Sequence, residues 1–195
     1  ITSGSSNVFV GAYAGDAQTT AANNTLIGYG AGGSITTAAS NTAVGYNALT
    51  THTDTGSGNT AIGMNALSAL TTAANNTAVG LNAGQDLSTA TNCVFVGYQA
   101  GANVTTGSGN TCVGLNAGDA ITTSPSNTLI GHNAGSAIST GTGENVVIGN
   151  NAAASMTTGS QSIIIGDNAA AGAAVTGIRN VAVGDNALYN VAGGG

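Results

Sequence analysis

The chain has 195 residues, of which eight are formally charged: Arg179 against Asp16, Asp54, Asp86, Asp119, Asp167, Asp185 and Glu144, for a net charge of −6. One basic residue excludes the electrostatic footprint of a nucleic-acid binder and gives anionic lipid nothing to bind. Apolar runs are broken every few residues by Asn, Thr or Gly, so no stretch is long enough to insert into a bilayer as a helix.

One phrase recurs from end to end. Its glycine falls at Gly11, Gly28, Gly45, Gly63, Gly80, Gly97, Gly114, Gly131, Gly149, Gly166 and Gly184, at spacings of 17 or 18 residues. With that glycine as position 0, position −1 is Val or Ile and position +3 is Ala in all eleven copies. Disordered tracts rich in Gly, Ser, Thr and Asn lack apolar residues in such register. A fixed short period is the mark of a solenoid, whose coils bury their apolar faces by stacking on one another.

In chain order each coil reads strand, turn, second strand, turn. The first strand is the β-branched run before the glycine, as in Asn24 to Ile27, Asn41 to Val44, Asn59 to Ile62 and Asn127 to Ile130. The glycine then turns the chain, helped by Asn at position +2 in eight copies, from Asn47 to Asn186. A shorter second strand is predicted around an apolar residue at +7 followed by two hydroxyls, as in Leu70-Thr71-Thr72 and Val104-Thr105-Thr106. Length varies at the last turn, where Thr55-Gly56-Ser57-Gly58 and Thr142-Gly143-Glu144 each carry one residue more than most. No domain boundary interrupts residues 1–195, which at one strand spacing per coil make a rod roughly 50 Å long. Starting at Ile1 and stopping in Gly193-Gly194-Gly195, the chain reads as a segment of a longer fibre.

Alternation along a strand puts positions −1 and −3 on one face and −2 and −4 on the other. Both faces are apolar, and the first is expected to fill the core. The second, Phe9, Leu26, Ala43, Ala61, Ala78, Phe95, Cys112, Leu129, Val147, Ile164 and Ala182, is then an outward stripe on the order of 500–900 Å². Parallel chains about an axis along the rod would cover it.

Little else suggests chemistry. Cys93 and Cys112, offset by two positions on adjacent coils, are expected about 8 Å apart and therefore free. His52 and His132 have no recurring His, Cys or carboxylate partner, and the Gly-x-Gly at Gly28-Tyr29-Gly30 lacks the helix and lysine of a phosphate loop. Asp167 and Asp185 align in adjacent coils but offer calcium too few oxygens. No cofactor, metal or catalysis is expected.

The phrases Asn92-Cys93-Val94-Phe95-Val96-Gly97, Gln161-Ser162-Ile163-Ile164-Ile165-Gly166 and Arg179-Asn180-Val181-Ala182-Val183-Gly184, each followed by Ala at +3, resemble the coil of YadA-like heads in trimeric autotransporter adhesins. The form at Asn41 to Ala48 is similar to repeats upstream of endosialidase-type chaperones in phage tail fibres and other bacterial fibre proteins. The coil here is longer than in the adhesin heads, and Asn most often sits one place nearer the glycine. The resemblance implies a left-handed parallel β-roll in a homotrimer, outside a cell or virion. It implies attachment to a cell-surface glycan or protein receptor through loops or a tip. The alternative is an ice-binding solenoid using stacked Thr columns; against it, strand parity would turn one Thr of each doublet inward.

Overall fold

A computed structural model describes residues 2–52, 55–172 and 175–190; Asp54 and the terminal glycines lie outside the described residues. Eleven strands of three residues follow in chain order: β1 (Val8–Val10), β2 (Thr25–Ile27), β3 (Thr42–Val44), β4 (Thr60–Ile62), β5 (Thr77–Val79), β6 (Val94–Val96), β7 (Thr111–Val113), β8 (Thr128–Ile130), β9 (Val146–Ile148), β10 (Ile163–Ile165) and β11 (Val181–Val183). They form one sheet in the order β1 to β11. Each pairing is parallel and one-to-one, as with Ala78 opposite Phe95 and Val96 opposite Val113. A column of the repeat is therefore a physical column of side chains, and the fold is the all-β parallel solenoid that the period predicts.

Each coil closes through left-handed residues at fixed places. The repeat glycines have φ between 126° and 142°, and positions −5, +2 and +4 are also at positive φ in every coil. Glycine is needed twice over at Gly80: φ is +142°, and a Cβ would stand 2.6 Å from the carbonyl carbon of Gly97 in the next coil. Asn at +2, such as Asn82 with φ 56°, supplies a short side chain that tolerates this region. Position +4 has no single residue type, being Leu67, Gly84 and Ala153 in different coils.

Position −2 points into the coil, which corrects the expectation that it faces out. Leu26, Ala43, Ala61, Ala78, Phe95, Cys112, Leu129, Val147 and Ile164 have no accessible surface in a single chain; Ala182 has almost none, and Phe9 of the first coil packs against the same core. The physical reason lies on the other side of the turn. Ala at +3, the residue at +4 and the apolar residue at +7 form the opposing wall, so −2 is the strand face they meet. Side-chain sizes at −2 and +4 are reciprocal: Ala43 goes with Leu49 and Ala61 with Leu67, whereas Phe9, Leu26, Phe95 and Leu129 go with Gly15, Gly32, Gly101 and Gly135. Ala78 with Gly84 breaks that pairing because the ring of Phe95 from the next coil takes the space, 2.7 Å from where a Cβ on Gly84 would lie.

Position −4 also points in, and its polarity is satisfied along the rod. Oδ1 of Asn59 accepts the Asn76 backbone N–H at 3.0 Å, and Oδ1 of Asn76 accepts that of Cys93 at 2.9 Å. Nδ2 of Asn76 donates across the coil to the Ala90 carbonyl at 3.0 Å. Such ladders meet the requirement that buried amides be paired. Cys93 stands where the ladder has Asn, its thiol 3.5 Å from the Gly107 carbonyl. Cys93 and Cys112 are both free and buried, and burial raises both thiols.

The second strand is not present among the described residues. The amides of Thr105 and Thr106 both donate to the carbonyl of Thr122, at 2.9 and 3.3 Å. Two successive amides on one acceptor describe a bend, since a strand ladder alternates its hydrogen bonds along the chain. The +7 residue is nonetheless buried, as with Leu70, Leu87, Val104 and Ile121.

Three variants test this packing by thermal or denaturant unfolding. Leu129→Ala should cost about 2–5 kcal/mol, the range for emptying a close-packed site. Phe95→Asp should prevent its coil from folding even in an isolated chain. Cys93→Asn should raise the midpoint, adding about 1 kcal/mol by completing the amide ladder.

Candidate self-association face

The faces of the strands are inverted relative to the sequence expectation. Position −1 is Val or Ile in all eleven coils, and none of these residues is buried; Val10 is 56% and Ile62 39% exposed. Position −3 projects the same way, with Val8, Val94, Ile163 and Val181 exposed and the intervening Thr25, Thr42, Thr60, Thr77, Thr111 and Thr128 half-buried. Because φ at the glycine redirects the chain, position +1 extends the same surface: Tyr29, Tyr46, Met64, Tyr98 and Leu115 are exposed. Tyr29 and Tyr46 stack at 5.4 Å, and Tyr13 meets Tyr29 edge-on at 5.4 Å.

The surface is therefore a stripe of β-branched and aromatic residues three columns wide. At about 4.8 Å per strand it runs roughly 48 Å, and two steps of about 6.6 Å make it roughly 13 Å across, or about 600 Å² in plan. Soluble monomers expose a few hundred Å² of contiguous apolar patch, and a standard interface takes about 800 Å² from each partner. Parallel sheets are, as a rule, covered on both faces. In this chain only the inner face is.

Toward the C-terminal end position +1 turns polar. His132 Nδ1 meets Asn150 Oδ1 at 2.9 Å, Asn150 Nδ2 donates to Asp167 Oδ1 at 2.9 Å, and Asn168 Nδ2 donates to Asp167 Oδ2 at 3.0 Å. Asp185 accepts from Asn186 Nδ2 at 3.0 Å. Amide donors thus occupy these carboxylates, and among the described residues no group of three His, Cys, Asp or Glu could hold a metal ion. No described helix is long and apolar enough to cross a membrane.

His52 lies elsewhere, inside the coil at the +7 column otherwise occupied by Ile35, Leu70 and Leu87. Its Nε2 bonds the Gly56 carbonyl, its Nδ1 is buried without a partner, and burial lowers its pKa. Nδ2 of Asn41 is likewise buried and unpaired, in the ladder beside the coil whose corner holds the extra residue. Asp119 is shifted the other way: burial raises its carboxyl.

The inward −2 column had a sequence signal that strand parity alone does not use, namely its size reciprocity with +4. The outward column had one as well, since a Val/Ile residue that never varies in size with its neighbours is not fitted to an irregular core. No family model, curated protein or solved structure matches this chain.

The buried imidazole gives a pH dependence with a definite sign. The folded state disfavours the protonated ring, so His52 holds its full contribution above the unfolded value of 6.5 and loses it as pH falls below. The thermal midpoint should therefore drop between pH 7.5 and 5.5, and His52→Leu should remove that part of the drop while raising the midpoint at neutral pH.

Proposed function

We propose that this chain is a structural and adhesive segment of an extracellular fibre, in which parallel copies associate through positions −3, −1 and +1. The observation that carries the reading is the unbroken column of eleven Val and Ile residues left uncovered on a parallel sheet. At about 25 cal/mol per Å², covering about 600 Å² contributes roughly 15 kcal/mol per chain before association costs. Parallel alignment matches aromatic +1 residues with one another and leaves the Asn and Asp end solvated. A fully overlapped antiparallel copy would set Tyr29 against Asp167 and Tyr46 against Asn150, desolvating a carboxylate and an amide on an apolar surface.

The threefold count, the left-handed coil and the setting on a cell or virion rest on the resemblance to YadA-like heads and phage fibre repeats. A receptor, glycan or protein, would be met by loops or by a tip domain. The reading includes no catalytic step, cofactor or membrane insertion.

Light scattering of the soluble protein at micromolar concentration should give three times the chain mass. Val79→Asp with Val96→Asp should lower that mass toward one chain, because like carboxylates would then meet near the axis. A folded parent monomer at this concentration sinks the association; a dimer sinks only its threefold form.

A further inference from the structure

The bend after position +7 creates a second repeated surface that association through the strand stripe does not use. Position +8 is Ser or Thr in the first nine coils, and along the middle of the rod its hydroxyl donates to the carbonyl of the same position one coil on: Thr71 to Ser88, Ser88 to Thr105 and Thr105 to Thr122, each at 3.0 Å. Serine and threonine alternate there because the hydroxyl is all that the ladder uses. The next position is different. It is Thr at Thr20 and Thr37 and then in six successive coils, Thr72, Thr89, Thr106, Thr123, Thr140 and Thr158, and every one of these is exposed; the third coil has Asp54 there, outside the described residues.

Coil packing does not select threonine at that place. The interior is filled from +7 and +10, as by Leu87 and Ala90, so any soluble side chain would serve outside. What these threonines share is a hydroxyl and a methyl on a side chain stiff at χ1. The six from Thr72 to Thr158 repeat at the coil spacing of about 4.8 Å over roughly 24 Å. The ladder at +8 pins the backbone beneath them. The parity objection to such a surface falls away as well, since the doublet lies on a bend, with +8 half-buried and +9 outside.

We propose that this rank binds ice. Rows of water in the ice lattice repeat at a spacing close to the coil spacing, so hydroxyls can occupy lattice positions while methyls settle between rows. From Thr71 to Thr158 the columns +8 and +9 carry no charged residue, and a charge would hold liquid-like water in place of the lattice; Asp54, at +9 of the third coil, lies before this run.

The test is thermal hysteresis of the parent protein, in whatever assembled state it adopts, together with its partition into a slowly growing ice front. Hysteresis and enrichment in ice are expected. Thr89→Tyr with Thr106→Tyr should reduce hysteresis at least fivefold, whereas Asn103→Tyr, exposed at +6 near the rank, should leave it unchanged. Should circular dichroism find the tyrosine pair misfolded, Thr89→Ser with Thr106→Ser decides: it keeps the hydroxyls and should still lose more than half the activity. Absence of hysteresis and of ice enrichment in the parent overturns the proposal, as does full activity in the folded tyrosine pair or in the serine pair. Light scattering on the same samples keeps the outcome separate from self-association.

Discussion

Everything in this rod follows from the contact between one repeat glycine and the next. A Cβ at Gly45 would lie 2.6 Å from the carbonyl oxygen of Gly63, and the same approach recurs from coil to coil. Only glycine lets two backbones come that close while holding φ well inside the positive region. Once those glycines are stacked, the three strand residues before each must pair one-to-one, and every column of the repeat becomes a straight file of side chains.

Two kinds of file result, held by different physics. The inner files at −2, +3, +4 and +7 gain from dispersion and from removal of apolar area, with their sizes traded so that a coil holding Phe95 also holds Gly101. The Asn file at −4 runs among them and satisfies backbone amides that a narrow coil cannot otherwise pair. His52 and Cys93 are departures from these files, one polar group in an apolar column and one thiol in an amide column. Both mark the coils where stability is open to change.

The period, the strand positions and the turn glycines were legible in the sequence because each is carried by one residue type in every coil. The direction of the strand faces was not. Strand parity says that Phe95 and Val96 point opposite ways but not which points in, and hydrophobicity cannot decide between Phe, Leu, Val and Ile. The wall across the coil decides, and it is built from Ala48, Leu49 and their equivalents after the turn. The second strand failed for a related reason: Thr is a good strand residue, yet its hydroxyl ladder at Thr71 and Thr105 supports a bend as readily. The left-handed residues at +4 were hidden because Leu, Ala and Gly all occupy them.

Reagent labelling at two neighbouring positions probes the assignment of faces most directly. Ala78→Cys and Val79→Cys place a thiol at −2 and −1 of the same strand, while the native Cys93 and Cys112 are buried. The account predicts that the thiol at 78 stays unreactive whether the chains are associated or separated by Val96→Asp. The thiol at 79 should be protected in the assembly and react quickly once the chains are apart. A reactive thiol at 78 in the folded protein, or a thiol at 79 equally reactive in both states, would contradict it.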